Sequence, residues 1–230
     1  MKTKVLFLFL ILISVVHEAS AGMFTWRRWT PDAVKVCFAN PVENSRDSYS
    51  RSRWKAEDKA QVRRWVEDEF TPARTGIYFV GFHDCVPGEK DNVIINFRPK
   101  NVLRWLEGTR GSATIGYQLF RVSKDFPNVA GNIHFFVGGL RKSTVIHEFG
   151  HIAGLYHEHD HPHSTCSIGG EKQEGLKWGF GYTEYDPNSV MSYCVSRHSD
   201  DRGLSAGDLF TLKLMYIDRV DAMTSSGILR

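Results

Sequence analysis

Residues 147–159 read HEFGHIAGLYHEH, four histidines and two glutamates in thirteen positions, and no other stretch restricts the fold as strongly. His147 and His151 are four apart. Four residues turn an α-helix through about 400°, so on a helix both imidazoles leave nearly the same face and can share one ion. Glu148 then lies beside them, where a carboxylate can take a proton from water on that ion. Two histidines leave a zinc site short of protein ligands, and His157, six residues on, cannot share the face if the helix continues. Gly154 removes the difficulty, because glycine reaches positive φ without strain and can end a helix in a sharp turn. The chain must therefore stop a helix at Gly154 and double back to bring His157 to the ion. Val145, Ile146, Phe149 and Ala153 supply the packing side of that helix.

The compartment bears on this reading. Lys2 and Lys4 precede an apolar run from Val5 to Val16, and Ala19-Ser20-Ala21 supplies small residues where a signal peptidase cuts. The run falls short of the roughly 20 residues of a spanning helix. Residues 1–21 are expected to be a signal peptide and residues 22–230 a single domain, large enough for a real core. Stable membrane insertion is not expected. A formal net charge of +3 gives no reason to expect a nucleic-acid partner. The basic cluster Arg46–Arg64 is interrupted by Glu57 and Asp58 and reads as a solvated helix face. Cys37, Cys85, Cys166 and Cys194 are an even set on an exported chain, which suggests two disulfides. Three pairings are open; Cys37–Cys85 and Cys166–Cys194 are expected because each pair lies within one half of the chain. The product would be a secreted or periplasmic monomer.

Along the chain, Val34–Ala39, Ile77–Phe82, Val93–Phe97, Ala113–Phe120 and Asn132–Val137 read as strands, the last ended by Gly138-Gly139. An amphipathic helix is expected over Lys55–Phe70, burying Ala56, Ala60, Val62, Val66 and Phe70, with Trp54 and Trp65 on the same face. A strand, helix, strand order suggests a sheet with a crossover helix. Cys166–Asn188 is glycine-rich and aperiodic; Lys172, Lys177, Trp178, Phe180 and Tyr182 are candidates there to line a substrate pocket. A final helix is expected over Leu204–Val220, with Ser205 capping its start and Asp208 as the acidic partner. His159, His161 and His163 read as a solvent-facing polar loop, with a weak second metal site as the alternative. His83 and His134 read as structural.

The motif His147, Glu148, His151, Gly154, His157 resembles that of the metzincin zinc peptidases. SVMSY at Ser189–Tyr193 stands where that family has its Met-turn, and Glu158 after the third histidine is similar to the astacin-like branch. HEFGH is equally similar to the matrixin branch, and Asp160, His161, Pro162 and His163 depart from the astacin pattern. The resemblance is strong over residues 143–163 and 189–193. It implies an α+β zincin fold: a twisted, mostly parallel sheet with an antiparallel edge strand, an active-site helix, and a smaller C-terminal subdomain ending in a helix. A zinc cleft would lie between residues 22–154 and 155–230. Met191 would form an apolar floor beneath the ligands, and Tyr193 would stabilise the oxyanion. ATIGY would stand at the edge strand to which extended substrates add. A propeptide carrying a blocking aspartate or cysteine is not expected. Cys194 directly after Tyr193 departs from the astacin pattern, and a bridge to Cys166 would tie the turn to the loop beyond the ligands.

The chemistry that needs this set is peptide-bond hydrolysis. One Zn2+ on His147, His151 and His157 would activate water, and Glu148 would act as base and then acid. The expected partner is a protein or peptide substrate. Two other readings stay open: a catalytically silent zinc-containing binding module, and a hydrolase of cell-wall peptides.

Overall fold

A computed structural model describes residues 23–25, 27–30, 33–39, 54–90, 92–98, 111–118, 129–136, 140–166, 181–196 and 201–217. Residues 1–21, expected to be a signal peptide, Gly138-Gly139, Arg46–Arg53 and Lys172, Lys177, Trp178 and Phe180 lie outside them. The elements run β1 (Met23–Phe24), β2 (Ala33–Phe38), α1 (Ala56–Glu69), α2 (Pro72–Thr75), β3 (Tyr78–Asp84), β4 (Asn92–Arg98), β5 (Gly111–Ala113) and β6 (Val129–Phe136). Then come α3 (Lys142–Ala153), a 3-10 turn (Glu158–Asp160), β7 (Gly181–Tyr182), α4 (Tyr193–Ser196) and α5 (Ala206–Met215). The larger sheet has the order β3-β2-β4-β6-β5. Its first four strands are parallel and β5 is antiparallel to β6. This is the expected mixed α+β architecture with a mostly parallel sheet and an antiparallel edge. β1 and β7 form a separate antiparallel pair.

β2, α1 and β3 make the crossover unit. Glu57 and Asp58 sit in the first turn of α1, where its dipole favours negative charge. The helix buries Val62, Val66 and Glu69, with Trp65 packed at the margin of the core. Ala56 and Ala60, expected on this face, are exposed. The buried stripe instead follows 62, 65/66 and 69, and alanines carry too little surface to set the helix rotation against larger side chains. Thr71 and Pro72 then start α2, and Gly76 at φ 70° closes it and releases the chain into β3.

The strand expected over Ala113–Phe120 is shorter and earlier. Its ladder covers Gly111–Ala113, paired with Ile133–Phe135. Gly116 adopts φ +66° and its N–H donates to the His151 carbonyl at 2.8 Å, which interrupts the regular ladder before Gln118 N–H returns to the Ala130 carbonyl of β6 at 3.1 Å. No helix among the described residues is long and apolar enough to cross a membrane.

Glu69 ties the end of α1 to the C-terminal part. Its carboxylate takes Lys142 at 2.8 Å and Arg74 at 3.2 Å and the Leu204 N–H at 3.3 Å. A Cβ at Gly203 would stand 2.0 Å from it, so the close approach needs glycine. Both cations are partly exposed, so less is lost than in a dry pair. Glu69→Ala is expected to cost about 1–3 kcal/mol in urea unfolding; a loss below about 0.5 kcal/mol, the scale of an exposed pair, would show the cluster to be incidental.

Candidate metal centre

α3 is buried at Ser143 and continuously from Val145 to Ala153. Two positions advance a helix by about 200°, so Phe149 points opposite His147 and His151. Its ring meets Phe79 at 4.8 Å, Phe82 at 6.3 Å and Phe70 at 6.4 Å. The same helix thus presents an aromatic side to the core and an imidazole side to the site.

The last turn of a helix leaves carbonyls without partners inside the helix, and here all four are met. Gly154 enters the left-handed region at φ 107° and its N–H reaches Gly150 and His151. Leu155 N–H donates to Gly150 at 2.9 Å and Gly116 N–H to His151 at 2.8 Å. The Trp29 indole N–H donates to Ile152 at 2.7 Å, and the Tyr216 hydroxyl to Ala153 at 2.9 Å. The turn at Gly154 brings His157 back toward the helix.

His147, His151 and His157 stand together, each offering a nitrogen within 4.8 Å of the others. Their rings lie 4.7, 5.2 and 4.6 Å apart. Nδ1–H of His147 donates to the Val190 carbonyl at 2.9 Å, and Nδ1–H of His151 to the Leu155 carbonyl at 2.7 Å. A carbonyl only accepts, so both Nε2 atoms keep their lone pairs, and His151 Nε2 faces His157 Nε2 at 3.0 Å. Burial pushes His147 down to about 4 and His151 to about 3. His157 is held well below the ordinary histidine range by burial and by its two neighbours. Three neutral imidazoles with converging nitrogens fit one zinc ion.

Glu148 is 4% exposed, burial pushes it up to about 8, and its Oε2 has no hydrogen-bond partner. A buried carboxylate oxygen without a partner is costly, and a cation beside the imidazoles would offset the cost. A Cβ at Gly111 would lie 2.5 Å from Glu148 Oε1, so β5 crosses directly over this carboxylate. Met191 lies against the helix from the other side, since a Cβ at Gly150 would stand 2.6 Å from its Sδ. Tyr193 borders the cluster, its ring 4.6 Å from His157 and 5.7 Å from His147. At 37% exposed it also meets solvent, and burial of the rest pushes its phenol up to about 12.

Two loop histidines depart from the solvent-facing reading. His161 is 2% exposed, donates from Nε2 to the Thr183 carbonyl at 2.7 Å and accepts the His163 N–H at 3.1 Å. His159 is largely buried, stacked on Tyr193 at 4.2 Å and on His157 at 4.6 Å. His157, His159 and Asp160 form a second group close enough for a metal. The loop folds inward because the bridge Cys166–Cys194 joins its far end to the residue after Tyr193. The other bridge, Cys37–Cys85, joins β2 to the segment after β3. His83 pairs with Glu89 at 3.0 Å on the surface, and His134 Nε2 meets the Asn132 amide at 3.0 Å.

Sequence reasoning left out Gly111, Asp186 and the role of Val190. Glu158 is fully buried and accepts the Asp186 N–H at 2.7 Å; burial pushes it up to about 8. Their contacts to the site join distant residues, 28 positions apart for Asp186 and Glu158 and 43 for Val190 and His147, so no local spacing marks them.

No family model matches the chain, and no curated protein matches it. Among solved structures it is similar to High choriolytic enzyme 1 (HCE-1), a hatching enzyme zinc-protease from Oryzias latipes (medaka fish). The two are 15% identical, with a TM-score of 0.44, over 84% of this chain and 94% of that chain.

Proposed function

We propose that the chain is an exported zinc endopeptidase of metzincin type, with residues 22–230 as one catalytic domain. The observation that supports it most is the convergence of three neutral imidazoles beside a buried carboxylate under an edge strand. His147, His151 and His157 would hold zinc through Nε2. Zinc, when bound, supplies a Lewis acid that polarises a carbonyl and lowers the pKa of water.

The chain's own residues do the rest. β5 ends the sheet on one side among the described residues, so its outer backbone groups can pair with an extended peptide. The added peptide would pass over Glu148, which lies beneath Gly111. Glu148 takes the proton from the attacking water at its carboxylate and returns it to the leaving amine nitrogen as the C–N bond breaks. A carboxyl raised by burial both accepts and donates near neutral pH. The Tyr193 phenol, pushed up to about 12, stays protonated and can donate to the developing oxyanion. Met191 gives the ligands an apolar floor. Two disulfides support an oxidising compartment.

The test is digestion of an unfolded protein mixture by the oxidised, zinc-loaded chain, with Glu148→Gln beside it. The variant should lose cleavage by about 10²–10⁴-fold with zinc content unchanged. Equal cutting by both proteins, or none by either, overturns the reading; cutting of peptidoglycan peptides alone would move the substrate to the cell wall.

The metal-free chain should show a stability dome in pH. Glu148 and Glu158 stand at about 8 in the fold against about 4.3 unfolded, so the folded chain holds protons that the unfolded chain has lost. Between about pH 7.5 and 8.5, where unfolded histidine, with its pKa of about 6.5, is largely neutral, the glutamates make stability fall as pH rises. The histidines act in the opposite sense. Below about pH 4.3 the glutamates are protonated in both states, while the unfolded histidines bind protons that the folded ones, at about 4 and about 3 for His147 and His151, resist, so stability is lost as pH falls. Urea unfolding after chelation measures both limbs; stability that rises from about pH 7.5 to 8.5 would contradict the burial of these carboxyls.

A further inference from the structure

The box that starts α5 reaches the metal centre. Ser205 and Asp208 form a reciprocal cap: Asp208 N–H donates to Ser205 Oγ at 3.0 Å and Ser205 N–H to Asp208 Oδ2 at 2.9 Å. An N-terminal cap is ordinarily exposed, but Asp208 is fully buried because its carboxylate has further partners. Ser189 Oγ donates to Oδ1 at 2.6 Å and Val190 N–H to Oδ2 at 3.0 Å. Ser189 Oγ in turn accepts the Met191 N–H at 3.0 Å. One carboxylate therefore fixes three consecutive residues of the turn.

The opposite side of that turn faces the histidines. The Val190 carbonyl accepts from His147 Nδ1 at 2.9 Å, and the Met191 carbonyl accepts the N–H of Glu158, beside His157, at 3.1 Å. We propose that Asp208 is a positioning residue of the metal centre, setting the direction of His147 through the Val190 backbone and bracing the His157 segment through Met191. The inference rests on the three-histidine metal reading. A partner on the second ring nitrogen fixes the tautomer and the ring orientation of a ligating histidine. Here that partner is a peptide carbonyl, which can hold a direction only if the turn carrying it is itself held.

Cobalt(II) titrated into the metal-free, oxidised chain tests this through its visible absorption bands, which report ligand geometry, and through its affinity. Asp208→Asn should weaken cobalt binding by about 10–100-fold and shift the bands. Ser205→Ala, which removes the hydroxyl half of the cap and leaves the carboxylate on Ser189, Val190 and the backbone N–H at position 205, should lower Tm with bands and affinity unchanged. If Asp208→Asn does not fold, Ser189→Ala takes its place, with a smaller shift in the same direction. Wild-type bands and affinity in the folded Asp208→Asn, or in Ser189→Ala where that stands in for it, overturn the proposal and leave Asp208 a helix cap. A wild-type chain that binds no cobalt overturns the metal reading itself.

Discussion

The end of a buried helix is the constraint on which the rest of this structure depends. α3 brings two imidazoles and a carboxylate into the interior, and its last-turn carbonyls come with them. Each lost carbonyl partner would cost on the order of 1–3 kcal/mol, so the surroundings must supply donors. They come from four places: the Gly154 turn, Gly116 after β5, Trp29 after β1, and Tyr216 at the end of α5. These contacts set the paths of the edge strand, the N-terminal segment and the C-terminal helix.

The same dryness sets the electrostatics. Burial keeps the three histidines neutral and the glutamate reluctant to ionise, a combination poorly suited to an empty pocket and well suited to a divalent cation. Beneath it lies a second buried acidic layer, Glu158, Asp186 and Asp208. These side chains accept backbone and hydroxyl donors from the Ser189–Met191 turn and its flanks. Polar networks in an apolar interior hold a geometry firmly when their members are satisfied, and Asp208 is satisfied several times over.

Local pattern was a good guide where the partners are close in sequence. The helix stopped by Gly154 and the Ser205–Asp208 cap rest on interactions within a few residues, and β2, β3, β4 and β6 carry alternating and apolar runs that mark strands locally although their ladders join distant segments. It misled where a distant contact competes. Ala113–Phe120 has strand character throughout, yet the hydrogen bonds of Gly116 and Tyr117 to His151 and Arg27 break the regular ladder, which keeps only the single bonds of Thr114 to Asn132 and Gln118 to Ala130. His159 and His161 look like loop polarity, but a disulfide and a carbonyl 22 residues away fold them inward.

The sequence by itself determined which groups can do chemistry and how two of them share a helix face, because periodicity and the freedom of glycine act over a handful of residues. Only the tertiary structure decided that Glu148 lies beneath Gly111, that Tyr193 stacks on His159, and that a helix cap holds the carbonyl behind His147. Those juxtapositions join residues 18 to 43 positions apart, and no local spacing rule encodes them. They arise because burying α3 leaves its polar groups a narrow choice of partners.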